Sequence, residues 1–186
     1  TDIIIDSRPR LRRLLASCFP PVSLFAATQP TGGTDTASLR RDMALIKKRV
    51  LAPYRDDAVD KRTVAQLLRT LSSKGSWPDI DYKNKRRSSW PTSRHLGLVS
   101  TLVKAYTHKG SRFFNNAKLK KAVDLSLDFW LSNDFKNPNW WHNVIGVPRT
   151  LAPILLMLDE ALSAFQKQKG IEILKRSKLG MTGQNL

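Results

Sequence analysis

Cysteine and acidic residues are both scarce in this 186-residue sequence. The single cysteine, Cys18, excludes an intrachain disulfide and any cluster of thiolate metal ligands. Only 15 Asp and Glu stand against 32 Lys and Arg, which gives a formal net charge of +17. No GxxxxGK[ST], HExxH, GxSxG or CxxC motif occurs, so the familiar nucleotide, zinc and hydrolase signatures are missing. Neither a metal nor an organic cofactor is implied.

The excess of positive charge is concentrated in the middle of the chain. From residue 74 to residue 121 there are 12 Lys and Arg against 2 acidic residues, a local net charge of +10. Such a field favours a polyanionic partner, which could be nucleic acid, an anionic membrane surface or an acidic polysaccharide. The alternative is a solvated basic face without a partner. Charge alone leaves these interpretations open.

The N-terminal segment has features of an export leader, but in an atypical arrangement. Four arginines precede a short apolar run, LLASCFPPVSLFAATQ: Arg8, Arg10, Arg12 and Arg13. Pro20 and Pro21 interrupt this run, which is also too short to span a bilayer as a stable helix. We interpret residues 1–33 as an atypical export leader or a disordered arm outside the fold. A leader would direct the protein to an extracellular or periplasmic location.

The hydrophobic spacing predicts an all-α fold, because no segment alternates as a strand does. Ser38 is expected to cap the first helix, and Pro91 and Pro148 to open two later ones. The stretches KGSWPDIDYKNKRRSS and NPNWWHN are predicted to be loops. The predicted helices cover 39–51, 60–71, a segment from Pro91 through Tyr106, 119–131, a segment from Pro148 through TLAPILLMLDEALSAF, and 171–179.

The three histidines are the candidates for acid–base chemistry. His95, at the start of a predicted helix, is typical of a structural hydrogen-bonding residue, and His108 in a lysine-rich turn is expected to be exposed. His142 is the best placed, since it follows two tryptophans. No Asp or Glu stands near it in the sequence to orient it as a general base.

The adjacent tryptophans, Trp140 and Trp141, are the strongest signal of a binding surface. If they were helical they would point about 100° apart, so both could not enter one core. At least one indole is therefore expected at the surface. Exposed indole faces stack on the C–H faces of sugar rings or on nucleobases. The structural alternative is a loop anchored by the two indoles in separate small cores.

Five motifs follow one another along the chain: GSWPDIDY, SRHL at the head of a helix, LDFWLSNDF, NPNWWHNVIGVPRTLAPILLMLD and MTGQN. In this order they resemble the N-terminal helical domain of polysaccharide lyase family 8, the chondroitin, hyaluronan and xanthan lyases. The resemblance covers residues 39–186, and NWWxNxIGxPR followed by TGxN is its most specific part. It implies an incomplete α/α toroid whose helical hairpins surround a long cleft. Residues 34–186 would then be the N-terminal part of such a lyase domain.

The resemblance also assigns roles to particular residues. Trp140 and Trp141 match the aromatic patch that positions the polysaccharide, and Asn139 and His142 flank that patch and are expected to touch sugar hydroxyls. Asn185 matches the asparagine that binds the uronate carboxylate during β-elimination. The family more often has alanine where Gln184 stands, and it continues with a charged residue and an aspartate.

The rest of the family's catalytic group, a histidine, a tyrosine and an arginine, comes later in the helical domain, and a large β-sandwich region follows it. The sequence stops at Leu186, so we expect a fragment or a truncated product of a lyase acting on an acidic polysaccharide. The expected state is a monomer, with no nucleic-acid partner and no stable membrane span. The alternatives are a non-catalytic or vestigial polysaccharide-binding domain and a basic helical protein that binds nucleic acid.

Overall fold

The computed structural model describes residues 35–55 and 59–177, and in these ranges the regular structure is helical, without strands. The predicted all-α class is confirmed. The predicted leader and the MTGQN segment with Asn185 lie outside the described residues. The helices are α1 (Thr36–Arg55), α2 (Lys61–Thr70), α3 (Arg94–Thr107), α4 (Ala117–Asn133), α5 (Val147–Leu158) and α6 (Ala164–Leu174), joined by 3₁₀ turns at Pro91–Ser93 and Asp159–Ala161 and a π turn at His142–Gly146.

Helix α3 is central and packs against α2, α4 and α5. Its residues Val99, Leu102 and Val103 are fully buried, because their spacing of three and four residues places them on the face that meets the neighbouring helices. Burial of each such side chain stabilises the fold by roughly 1.5–3 kcal/mol relative to exposure. The Asn115 N–H donates to the Tyr106 carbonyl at 3.0 Å, which helps to close the α3–α4 hairpin.

Side-chain caps define where the helices begin. The Asp60 carboxylate accepts from the Thr63 N–H at 3.0 Å, and the Asn116 side chain accepts from the Leu119 N–H at 3.0 Å. Each of these bonds satisfies one of the amide donors that a helix leaves unpaired in its first turn. The starts of α2 and α4 therefore lie close to those predicted from spacing. Helix α1 differs, since it begins at Thr36 and contains Ser38 instead of being capped by it.

The predicted helix from Pro148 through TLAPILLMLDEALSAF is wrong in its second half. Helix α5 ends at Leu158, and Asp159 adopts φ 45°, ψ −110°, which no α-helical residue has. Ser163 and Gln166 then form a reciprocal capping box that starts α6. The predicted last helix, 171–179, is likewise corrected to Ala164–Leu174. Apolar spacing continued across the break, and the Ser163–Gln166 capping box was the sequence signal that could have shown it.

Helix α1 lies at one side of the bundle and packs against α5. Leu51 is buried, whereas the apolar stripe that predicted this helix, which includes Leu39, Met43 and Ile46, is exposed. The spacing thus correctly indicated a helix but not which face is buried. None of the described helices has both the length and the apolar composition needed to cross a bilayer.

Candidate functional site

Trp140 and Trp141 both lie at the surface, 51% and 39% exposed. The prediction that at least one of the two indoles is exposed is therefore confirmed. The predicted loop over NPNWWHN is wrong in its second half, because both tryptophans are helical and lead into the π turn. The Asn139 side-chain oxygen accepts the Trp141 N–H at 3.1 Å, which is the local capping bond that asparagine makes at the start of a helix. Such π turns are rare and occur often at functional sites.

The Trp141 indole forms one wall of a groove of about 310 Å³. His142 lies beside it, with the two ring centroids 5.4 Å apart and the planes nearly perpendicular. The groove is also lined by Ser93, in the 3₁₀ turn before α3, and by Gly97 in the first turns of α3. Trp140 does not line this groove, and its indole faces solvent next to it. The full lining is Ser93, Leu96, Gly97, Trp141, His142, Gly146, Val147, Arg149 and Thr150.

The two residues expected to flank the aromatic patch, Asn139 and His142, bind the same backbone carbonyl. The Arg87 oxygen accepts from Asn139 Nδ2 at 3.0 Å and from His142 Nε2 at 3.3 Å. Since a carbonyl only accepts, Nε2 of His142 carries a proton in this bond. Both side chains thus attach the segment around the tryptophan pair to the Arg87 backbone, and each keeps part of its hydrogen-bonding capacity for a ligand.

The segment that these bonds hold, residues 83–87 (KNKRR), is here named the cationic loop. Asn137 Nδ2 donates to the Arg86 carbonyl at 2.9 Å, and Lys85 Nζ donates to the Lys136 carbonyl at 2.9 Å. The cationic loop therefore lies alongside the residues that directly precede the tryptophan pair. Sequence reasoning missed this proximity, because the bonded residues are 51 to 55 positions apart. The only signal was the local excess of positive charge.

A buried aromatic cluster is linked to the cationic loop by a hydrogen bond. Trp90 is buried and donates from its indole Nε1 to the Asn84 carbonyl at 3.0 Å. Its ring lies 5.3 Å from the His142 ring and 6.2 Å from the Trp130 ring, measured between centroids. Trp90 thus connects the loop, the groove and the core.

His95 is structural, as predicted. It is fully buried, and its Nε2–H donates to the Ser126 carbonyl at 2.9 Å. Its Nδ1 accepts from the Tyr82 hydroxyl at 2.8 Å, and that hydroxyl accepts in turn from the Trp77 N–H at 3.0 Å. Burial lowers the pKa of His95 to about 4, although the bond to Ser126 opposes the shift. His95 is therefore neutral at ordinary pH.

The expectation that His108 is simply exposed is wrong. It is half-buried and lines a second cavity of about 600 Å³, with Lys47, Tyr54 and Met157. This cavity lies at the C-terminal end of α3, whereas the groove lies at its N-terminal end. In the part of the chain that the structure describes, no three His, Cys, Asp or Glu side chains are grouped so that they could hold a metal ion.

The helical hairpins define the N-terminal portion of an incomplete α/α toroid, since they superpose on a solved structure of chondroitinase AC lyase with oligosaccharides. The TM-score is 0.68 at 29% identity, over 73% of this chain and 21% of that one. The chain belongs to polysaccharide lyase family 8, whose N-terminal alpha-helical domain matches residues 44–179.

Two curated relatives illustrate the relationship. Chondroitinase-AC of Pedobacter heparinus is 33% identical over 126 residues, which is 63% of this chain and 18% of the relative. The xanthan lyase of Bacillus sp. strain GL1 is 27% identical over 127 residues, which is 59% of this chain and 14% of the relative. The chain thus spans less than a fifth of the length of either enzyme.

Proposed function

We propose that this chain forms the substrate-binding part of a lyase that cleaves uronic-acid polysaccharides by β-elimination. In this proposal residues 34–186 are the N-terminal part of the lyase domain, and residues 1–33 act as a leader to an extracellular or periplasmic location. Family membership supports a lyase relationship. The observation that carries the binding role is the pair of exposed indoles of Trp140 and Trp141 at the edge of the groove.

The exposed indoles are suited to sugar because an aromatic face packs on the apolar C–H face of a pyranose ring, while the indole N–H remains free to donate. By analogy with base stacking, each stacked ring is worth roughly 1–3 kcal/mol. The Trp141 ring lies close to Gly146, where an added Cβ would stand 2.8 Å from Cζ3 of the ring. Arg149 lines the same groove and is exposed, so it can meet the carboxylate of a bound uronate.

The chemistry we propose removes the proton at C5 of the uronate and expels the glycosyl oxygen at C4. Asn185 is proposed to hydrogen-bond the uronate carboxylate as negative charge moves onto it. Stabilisation of this oxyanion-hole type is worth ~3–4 kcal/mol per well-placed donor. Asn139 and His142 are proposed to contact sugar hydroxyls through the hydrogen-bonding groups that their bonds to Arg87 leave available.

Binding of the 186-residue chain to chondroitin sulfate, hyaluronan and xanthan, measured by calorimetry, tests the proposal. Trp140→Ala and Trp141→Ala should each weaken binding roughly 5- to 150-fold without loss of helical circular dichroism. Phe165→Ala is the matched control, because Phe165 is also an exposed aromatic residue, 41% accessible, but lies on α6. It should leave the affinity unchanged.

The proposal fails if the folded chain binds none of the three polymers. It also fails if Phe165→Ala weakens binding as much as the tryptophan substitutions do. A single-stranded oligonucleotide that binds as tightly as the polysaccharides at the same salt concentration would favour a nucleic-acid partner instead.

A further inference from the structure

We propose that the cationic loop binds the sulfate groups of the polymer, so that this domain prefers a sulfated glycosaminoglycan to an unsulfated polymer of the same backbone. The inference rests on the proposed function, which the tryptophan pair carries. It adds a specificity determinant at a place in the sequence that none of the family-type motifs covers. Four consecutive features of the loop support it: its position, its rigidity, its unpaired cations and its geometry for oxyanions.

The loop lies where the polymer would pass. The Arg87 carbonyl receives hydrogen bonds from Asn139 and His142, the residues on either side of the tryptophan pair. The His142 ring in turn contacts the Trp141 ring. The main chain of Arg87 is thus hydrogen-bonded directly to the two residues that stand on either side of the tryptophan pair. A sugar stacked on Trp140 or Trp141 would have neighbouring units within reach of the long side chains of Arg86 and Arg87.

The loop is held in one conformation by bonds to its own backbone. The Lys83 N–H donates to the Asp81 carboxylate at 3.0 Å, and the Arg86 N–H donates to the Asn84 side-chain oxygen at 2.9 Å. The Asn84 carbonyl accepts from the buried Trp90 indole. The loop backbone is therefore already ordered in the free protein, so binding a ligand does not have to pay this conformational entropy again. Such preorganisation favours specific recognition of a ligand over non-specific attraction by charge.

The cations of the loop are available for a ligand. Lys83, Arg86 and Arg87 are exposed, and among the described residues none of their side chains pairs with a carboxylate. Asp81, the nearest acid in the sequence, already accepts from the Lys83 N–H. Some cations elsewhere in the chain are neutralised locally: Lys120 by Asp124, Lys169 by Glu172 and Arg176 by Asp134. The loop is thus a site of uncompensated positive charge.

Adjacent arginines suit sulfate more than an additional sugar hydroxyl. A guanidinium is planar and offers donors in a fork that matches two oxygens of a tetrahedral oxyanion. A sulfated disaccharide carries two anionic groups, the uronate carboxylate and the sulfate, whereas its unsulfated counterpart carries only the carboxylate. The groove with Arg149 can take the first group, so the loop distinguishes polymers by the second.

The decisive experiment compares chondroitin sulfate with the same polymer after chemical desulfation, using the 186-residue chain and calorimetry at fixed salt. The wild-type chain should bind the sulfated polymer about tenfold more tightly. The double variant Arg86→Gln/Arg87→Gln should bring this ratio close to one, mainly through weaker binding of the sulfated polymer. The control Lys118→Gln/Lys121→Gln removes the same charge from exposed positions on α4 and should keep the ratio.

Three outcomes would overturn the inference. A wild-type chain that binds both polymers equally has no sulfate preference, although the proposed function would stand. A loop variant that retains the ratio would exclude the arginines as its source. A control that loses the ratio to the same extent would assign the preference to overall charge. A folded chain that binds neither polymer would instead contradict the proposed function itself.

Discussion

The Trp141 indole lies against Gly146 so closely that a Cβ at position 146 would stand 2.8 Å from Cζ3 of the ring. Glycine at this position in a helical segment costs roughly 1 kcal/mol relative to alanine, so the close approach of the indole is a physical reason for its presence. We predict that Gly146→Ala displaces the ring and lowers polysaccharide affinity roughly three- to tenfold. Thermal stability should stay near that of the wild type, because better helix propensity offsets the strain.

A double-mutant cycle separates this effect from a general disturbance of the π turn. If the loss runs through the indole, Gly146→Ala should have no further effect on affinity in a Trp141→Ala background. Additive losses would mean that Gly146 acts on binding through some route other than Trp141. Calorimetric titrations of the four chains with one polymer provide the measurement.

Buried His95 should make the fold sensitive to acid. Above pH 6.5 the imidazole is neutral in both the folded and the unfolded chain and adds no pH dependence. Between pH 6.5 and about 4 the unfolded chain takes up a proton that the folded chain refuses, because burial lowers the pKa of His95 to about 4. The free energy of unfolding should therefore fall as the pH decreases through this range, by up to ~3 kcal/mol.

Urea denaturation at successive pH values tests this prediction. His95→Gln should be less stable at pH 7 but should lose most of the pH dependence between 6.5 and 4, since glutamine cannot titrate. An unchanged slope in His95→Gln would show that other groups cause the acid sensitivity.

Gly75, in the turn after α2, is predicted to be intolerant of any side chain. Its φ of +87° is in the left-handed region, and a Cβ there would stand 2.2 Å from the Leu125 carbonyl oxygen. Because that neighbour is backbone in the middle of α4, it cannot move aside. Gly75→Ala should lower the free energy of unfolding by at least about 2 kcal/mol. Gly97→Ala, where no atom lies within 4 Å of the added Cβ, should instead be neutral or stabilising by up to ~1 kcal/mol.

Sequence spacing predicted those elements whose causes are local. Helices α2, α3 and α4 followed from apolar residues at helical intervals. The break at Asp159 was missed because it depends on one residue's backbone conformation within an uninterrupted apolar pattern. The capping box of Ser163 and Gln166, which starts α6, was the local signal that could have revealed the break.

The site was only partly predictable, for a related reason. Helical geometry predicted that at least one tryptophan of the pair is exposed, but it did not predict that both are. The π turn and the contact between residues 83–87 and the pair depend on hydrogen bonds across more than 50 positions, such as that from Asn137 to the Arg86 carbonyl. Residues 83–87 have no apolar periodicity, so the local excess of positive charge was the only feature of the sequence that singled them out.

The 186-residue chain is predicted to bind polysaccharide without cleaving it, since no described histidine is placed as a general base. His95 is buried and neutral, and His108 lies at the other end of α3 from the groove. His142 donates Nε2–H to Arg87, and among the described residues no carboxylate orients its ring. General acid–base groups typically contribute 10²–10⁴-fold. The absorbance of 4,5-unsaturated uronate product should stay at background, and its appearance would require a base, starting with Nδ1 of His142.

Asn185→Ala, in a catalytically competent protein that contains this chain, should lower turnover far more than it weakens binding. In the proposed mechanism, the amide meets in the ground state a carboxylate that water would solvate almost as well. In the transition state negative charge accumulates on that carboxylate, so the same hydrogen bond becomes stronger. An interaction made mainly at the transition state lowers kcat and kcat/KM together and leaves KM nearly unchanged. The loss should be on the order of 10²–10³-fold.

Asn185→Asp separates this role from a structural one. A carboxylate facing the uronate carboxylate should be worse for turnover than alanine, because it adds repulsion to the lost donor. If Asn185 only caps a helix or turn, aspartate would replace it well, and alanine would cost ~1 kcal/mol of stability while the chemistry stays intact. Steady-state kinetics on the folded variants decide between the two: Asn185→Asp with near-normal kcat would remove Asn185 from the mechanism.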